Sequence, residues 1–145
     1  MARLLGFDYG RARIGVAVSD ETQIIVSPFC VIYVEKKLPL AVKQIKLKTD
    51  PLGPFEQLVV GLPLLLNGKE GEMAHEARLF AQMLEKEFQL PVTFWDERLT
   101  SSQAEKLMKE DNRSRKQRSK AIDTLAATLI LQNYLDAKLI RQRNF

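Results

Sequence analysis

The chain has 145 residues, a formal net charge of +4 and a pI near 9.3, with 46% hydrophobic and 28% charged residues; that is enough for one domain, 1–145, burying about two-thirds of its unfolded surface. No apolar run approaches the roughly 18–20 residues of a membrane span, and the start, MARLLGFDYG, lacks a signal-peptide layout. A single cysteine, Cys30, excludes an internal disulfide, so the expectation is a cytoplasmic protein with no membrane partner.

Taken in chain order, residues 2–8 and 13–19 read as two strands. Arg13, Gly15, Ala17 and Ser19 alternate with Ile14, Val16 and Val18, a period of two. The short YGRA between them suits a hairpin, with Gly10 free to take positive φ. Residues 24–34 form a third strand with a break or an edge at Pro28. Residues 38–48 are weakly helical, and TDPLGPFEQ (49–57) reads as a Pro/Gly loop. LVVGLP (58–63) is a β-branched apolar run, as expected of a strand buried on both faces of a parallel sheet. Residues 69–88 carry Met73, Ala77, Phe80, Ala81 and Leu84 at helical spacing, and LPVTFW (90–95) is another buried strand. DERLTSSQAEKLMKE (96–110) turns into a helix, with Thr100 and Gln103 placed as a capping box. A basic loop precedes an apolar helix over 119–137. The order β-β-β-α-β-α-β-α-α implies a mixed sheet with helices packed on it, class α/β.

Four acids do not fit a solvated helix surface. Asp8 closes the first strand, at the carboxyl edge where α/β sheets place ligands. Asp96 and Glu97 close the strand TFW. Being adjacent on extended backbone they point to opposite faces, so only one can join Asp8, and the other is held by Arg98 or a backbone amide. Asp123 shares a helical row with Ala127, Ile130 and Tyr134, an apolar stripe facing the sheet. An isolated charge there costs several kcal/mol unless paired, protonated or metal-bound. Asp20 falls at the opposite end of the hairpin and reads as a turn residue. Carboxylates gathered from separate elements repel one another, and their natural partner is a hard divalent cation, Mg²⁺ or Mn²⁺. The one histidine, His75, reads as a surface residue, so neither a zinc set nor a Ser-His-Asp set can be built. An acidic metal site beside basic residues fits phosphodiester hydrolysis.

The basic residues are placed to meet phosphate. RSRKQRSK supplies Arg113, Arg115, Lys116, Arg118 and Lys120 with no acid among them, and this charge predicts a segment that is mobile without substrate. Arg11, Arg13 and Arg98 neighbour the site acids, where they position phosphate or neutralise carboxylates. In NGKEG the glycines let backbone N–H groups approach a phosphate beside Lys69.

These motifs together resemble the YqgF/RuvX family, small RNase H-like proteins described as Holliday junction resolvases or as nucleases for the 5′ end of pre-16S rRNA. The resemblance rests on GFDYGRARIGVAVSD (6–20), VVGLPLLLNGKEG (59–71), WDERLTS (95–101) and AIDTLAATLILQNYL (121–135), in order over nearly the whole chain. It implies a mixed five-stranded sheet with strand 2 antiparallel, helices on both faces, and a carboxylate metal site. By motif position it carries over Asp8, Glu97 and Asp123 as catalytic and metal-binding, and it is what prefers Glu97 to Asp96. Better-known RNase H-like nucleases take their second acid from an earlier strand, whereas LVVGLP has none.

Three functional readings follow. The first is a metal-dependent nuclease acting on structured nucleic acid, pre-rRNA by preference or branched DNA, with ribosomal precursor particles as a further partner. The second is a weakly active or non-catalytic assembly factor of the same fold. The third is a nucleotide-phosphate binder, since FDYGRARIGVAV also looks like the phosphate loop of actin-like ATPases; those need two such lobes. The chain acts as a monomer or, on a two-fold junction, as a homodimer.

Overall fold

The computed structural model describes residues 2–98 and 115–143, with side chains over 2–98 and 124–142. Five strands, β1 (Arg3–Asp8), β2 (Arg13–Ser19), β3 (Val26–Tyr33), β4 (Phe55–Leu62) and β5 (Val92–Asp96), form one sheet in the order β3-β2-β1-β4-β5. β1–β2 and β2–β3 pair antiparallel, and β1–β4 and β4–β5 pair parallel. The expected mixed sheet with β2 antiparallel is therefore present. Among the described residues three α-helices pack on it: α1 (Leu38–Thr49), α2 (Glu72–Phe88) and α3 (Arg115–Arg143).

Alternation along each strand divides the core into two layers. Leu5, Phe7, Leu58 and Val60 face α1 and α2, packing with Ala41, Val42, Ile45, Phe80, Leu84 and Phe88. The intervening Leu4 and Val59 face α3, packing with Ala127, Ile130, Leu131 and Leu135. Helices thus cover both faces, as expected of a sheet with parallel strands at its centre.

Element ends shift by a few residues from the reading of the sequence, and the starts of β4 and α3 change the character of a segment. β4 begins at Phe55, inside the stretch read as a Pro/Gly loop; the 3-10 turn Asp50–Leu52 and the Gly53–Pro54 step keep that character. Its start is fixed by its neighbour, because β1 pairs with it from Arg3–Phe55 onward. α3 begins at Arg115, so most of the expected basic loop is helical. Lys, Arg and Gln are good helix formers, and no Gly or Pro interrupts 115–143. Arg113 and the expected helix over 96–110 with its capping box lie outside the described residues. At the third strand Pro28 does sit on an edge, and the β2–β3 register shifts between Val16 and Ala17, next to it.

Candidate active site at the open end of the sheet

β1, β4 and β5 all run toward one edge, and Asp8 ends β1 there. Its parity with Leu4 and Gly6 sets it on the α3 face. β5 repeats the logic: Trp95 packs toward α3, with its ring 6.5 Å from that of Tyr134 and nearly perpendicular to it. Glu97, two residues on, falls on the same side as Trp95 and Asp8, and Asp96 falls on the other. The Glu97 amide donates to Leu62 O at 3.1 Å, carrying the β4–β5 ladder one step past β5.

Glu97 is 7% exposed, and its carboxyl hydrogen-bonds that of Asp8. A buried carboxyl (Glu97) in contact with a half-buried one (Asp8) disfavours charge on both without a compensating cation, so the pair shares a proton. Burial, then the hydrogen bond and negative charge of Asp8, push Glu97 up to about 10. Burial also pushes Asp8 up, opposed by the hydrogen bond donated from Glu97. Asp96 has the opposite surroundings. Its carboxylate accepts from the Arg98 backbone N–H (3.0 Å), Nε (3.0 and 3.1 Å) and Nη2 (2.7 Å), which hold it below the usual range. The acid that does not join Asp8 is thus held by Arg98 and a backbone amide together.

The site's crowding explains why β4 carries no acid. A Cβ on Gly61 would lie 2.6 Å from Glu97 Cγ and 2.8 Å from its Cδ. The Glu97 side chain therefore crosses β4 over Gly61 and enters from β5 the space a β4 side chain would occupy. On the other side, a Cβ on Gly6 would lie 2.6 Å from Leu131 Cβ and 3.2 Å from Ala127 O, so α3 runs against bare β1 backbone. The helix row Leu135, Leu131, Ala127 is buried along β1, and Asp123 is the next position of that row, toward the Asp8 end. The Asp123 side chain lies outside the described residues. Among the described residues no three His, Cys, Asp or Glu side chains group as metal ligands. The Asp8–Glu97 pair itself offers buried, hard oxygen donors of the kind Mg²⁺ and Mn²⁺ take.

The basic residues are differently engaged. Arg11 is bidentate on Glu76, with Nε to Oε1 at 3.1 Å and Nη2 to Oε2 at 2.6 Å, and lies 3.6 Å from Glu72. Tyr9 donates to the same Glu76 at 3.1 Å. Arg13 opens β2 opposite Tyr33. Lys69 is exposed in a tight turn after β4, where Leu65 N–H donates to Lys69 O, Gly68 N–H to Leu65 O and Lys69 N–H to Asn67 Oδ1, each at 2.8–2.9 Å. Two of the amides expected to meet phosphate are thus used within the turn. A Cβ on Gly68 would come 3.8 Å from Arg98 Nη1, so this turn borders the Arg98 side of the site. Gly68, not Gly10, has the positive φ, 83°. Gly10 serves close approach instead, since a Cβ there would lie 2.6 Å from Arg13 O. Arg115, Lys116, Arg118 and Lys120 occupy the first turns of α3, ahead of Asp123, with side chains outside the described residues.

Asp20 accepts from the Ile24 and Ile25 amides at 2.9 and 3.0 Å and from Thr22 Oγ1, and closes the far hairpin turn as expected. His75 is exposed on α2, and Cys30 is half-buried against the core. Gly61 and Gly6 were not singled out in the sequence. The available signal was a lone glycine inside an apolar strand, which marks a close backbone approach.

Comparison with known proteins identifies the family. A family profile described as "RuvX: Holliday junction resolvase" fits residues 2–137. The chain belongs to that family. It is 41% identical over 142 residues to a protein of Protochlamydia amoebophila named "Putative pre-16S rRNA nuclease", covering 94% of this chain and 95% of that one. The family's fold extends to more distant proteins. Thermus thermophilus RuvC, solved in complex with a Holliday junction substrate, superposes with a TM-score of 0.57 at 15% identity, covering 96% of each chain. The Fowlpox virus resolvase, solved with Holliday junction DNA, gives 0.58 at 11% identity over 96% and 99%. These likenesses establish the RNase H-like, RuvC-like fold. Among the described residues no helix is long and apolar enough to cross a membrane.

Proposed function

We propose that the protein is a divalent-metal-dependent nuclease that hydrolyses phosphodiester bonds of structured RNA, and that it processes the 5′ end of pre-16S rRNA in the cytoplasm, on precursor particles. The observation that carries this reading is the buried Asp8–Glu97 pair at the open edge of the sheet, two acids kept together at the expense of a shared proton. The naming of relatives about 40% identical favours the RNA substrate. Asp8 and Glu97 would hold Mg²⁺ or Mn²⁺, with Asp123 as the third acid, because its position continues the buried row of α3. Bound there, the metal would supply an activated water and stabilise charge on the attacking and leaving oxygens.

The remaining work falls to this chain's own residues. Asp8 and Glu97 give up their shared proton before both can act as charged ligands. The β-strand ends fix their separation, so little reorganisation accompanies catalysis. Lys69, Arg13 and the basic first turns of α3, Arg115 to Lys120, with Arg113 before them, hold the nucleic-acid backbone. Arg11 and Arg98 reach phosphate by exchanging their carboxylate partners for it. The positive end of the α3 dipole adds to the attraction.

The description of the family profile supports a second reading, a resolvase of four-way DNA; on a two-fold junction the chain would act as a homodimer. One assay separates the two: purified protein against a labelled pre-16S leader and against a four-way DNA junction, each with and without Mn²⁺. Metal-dependent cleavage of the leader alone is the expected result. Cleavage of the junction alone would replace RNA with branched DNA. Cleavage of neither, with binding retained, would favour a non-catalytic assembly factor.

A further inference from the structure

Gly61 lies in the interior of β4, in register with Trp95 of β5 and one step beyond the Phe7–Val60 pair with β1. Its backbone does not call for glycine: it continues a regular ladder, and among the described glycines only Gly68 has a positive φ. A glycine in a strand otherwise built of Leu58, Val59, Val60 and Leu62 gives up both β propensity and packing. What the position supplies is space. Of the three atoms nearest to a Cβ at 61, two belong to Glu97, at 2.6 and 2.8 Å, and the third is Ile130 Cδ1 at 2.6 Å. Separations this short cannot persist, so a methyl group must displace both the Ile130 terminus and the Glu97 stem. Ile130 is fully buried in the α3 layer. Ile130 meets the methyl only with its flexible terminus, whereas Glu97 meets it with the Cγ–Cδ stem that carries the carboxyl, so the displacement there moves the site acid.

We propose that Gly61 is a positioning residue for the active site: its missing side chain is the channel through which Glu97 crosses β4 to meet Asp8. The proposal deepens the metal-nuclease reading above and rests on it for the metal. The acid that β4 lacks is delivered from the next strand, and β4 contributes an absence in its place. The geometry of the Asp8–Glu97 pair, and with it the affinity for a divalent cation, is then set by a residue that touches neither metal nor substrate.

Gly61→Ala, Glu97→Ala and the double variant test this, through Mn²⁺ titration and thermal unfolding without metal. Gly61→Ala is expected to weaken Mn²⁺ binding by about ten- to a hundredfold, as loss of a ligand's support does, and to lower kcat with little change in KM. In the Glu97→Ala background only the Ile130 contact remains, so the same substitution should lower the melting temperature clearly less than it does in the wild-type background. If Gly61→Ala alone fails to fold but the double variant folds, the coupling is confirmed by that rescue. Equal destabilisation in both backgrounds would assign Gly61 to packing against Ile130 and overturn the proposal, as would wild-type Mn²⁺ affinity in Gly61→Ala. Absence of Mn²⁺ binding by the wild-type protein would instead defeat the metal reading, leaving the unfolding cycle to decide the Gly61–Glu97 coupling.

Discussion

The two faces of the sheet are built to different ends. The face under α1 and α2 is dry and filled: Leu5, Phe7, Ile14, Val16, Leu58 and Val60 interlock with Ile45, Phe80 and Leu84, and every one of them is fully buried. The face under α3 starts the same way, with Leu4, Val59, Ile130 and Leu131. Toward the open edge it changes. Glycines replace side chains at Gly6 and Gly61, and the space so released is taken by the helix backbone and by the Glu97 arm. One face spends its volume on packing, and the other holds charge where charge is unfavourable. The difference teaches that stability and chemistry in this domain are separated by strand parity.

That separation can be broken from either side. On the dry face, Phe80→Ala removes the ring packed edge-on against Phe7, 5.8 Å away. It should cost about 3–5 kcal/mol, read by denaturant unfolding, with the activity of the remaining folded protein unchanged. On the other face, Asp8→Asn should reverse the pattern. Cleavage should fall by more than the roughly 10–100-fold that loss of a supporting partner costs, while the melting temperature holds or rises. Equal cleavage by mutant and wild type would remove Asp8 from the site. Gly6→Ala tests the seam between the two roles. Pushing α3 off β1 should cost about 1–3 kcal/mol by overpacking, and activity should fall as well, because Asp123 rides on the same helix.

The titration of the acid pair gives the most specific test. Glu97 has its folded value raised to about 10. A raised acid contributes stability that is fully present below its unfolded value, near 4.3, and lost as pH rises toward the folded one. The metal-free protein should therefore lose stability as pH rises across that window. Glu97→Gln keeps a donor to Asp8 without the titration, so its melting temperature should overtake that of wild type as pH rises from 5 to 8. Parallel curves for the two proteins would show that Glu97 bears no such burden.

Much of this was legible in the sequence, for identifiable reasons. The β1–β2 hairpin showed in its period of two, and the turn role of Asp20 in its place at the far end. Asp8 was visible because a carboxylate ending an apolar strand contradicts its surroundings. Parity alone says that one of two adjacent acids points inward; the family resemblance prefers Glu97, and Trp95 packing toward α3 supplies the physical reason. The first residues of β4 were hidden because Pro54 and Gly53 suggest a loop, while the pairing that makes Phe55 a strand residue comes from β1, some fifty residues earlier in the chain. The start of α3 was hidden because a charged run was read for its solvation and not for its helix propensity. Gly61 was hidden most completely, since a residue without a side chain leaves no mark on a hydrophobic pattern.

The bidentate pairs Arg11–Glu76 and Arg98–Asp96 have a consequence for how binding answers to ionic strength. Affinity for a polyanion normally falls with added salt in proportion to the number of cationic groups that displace condensed counterions. A guanidinium already neutralised by its own carboxylate arrives without that surplus charge, and on meeting phosphate it hands a carboxylate back to the solvent. Such arginines select for the fork geometry of a phosphate while adding little to the slope of log K against log salt. The slope would then count the lysines and the amino end of α3, and the arginines beside the acids would register chiefly as orientation.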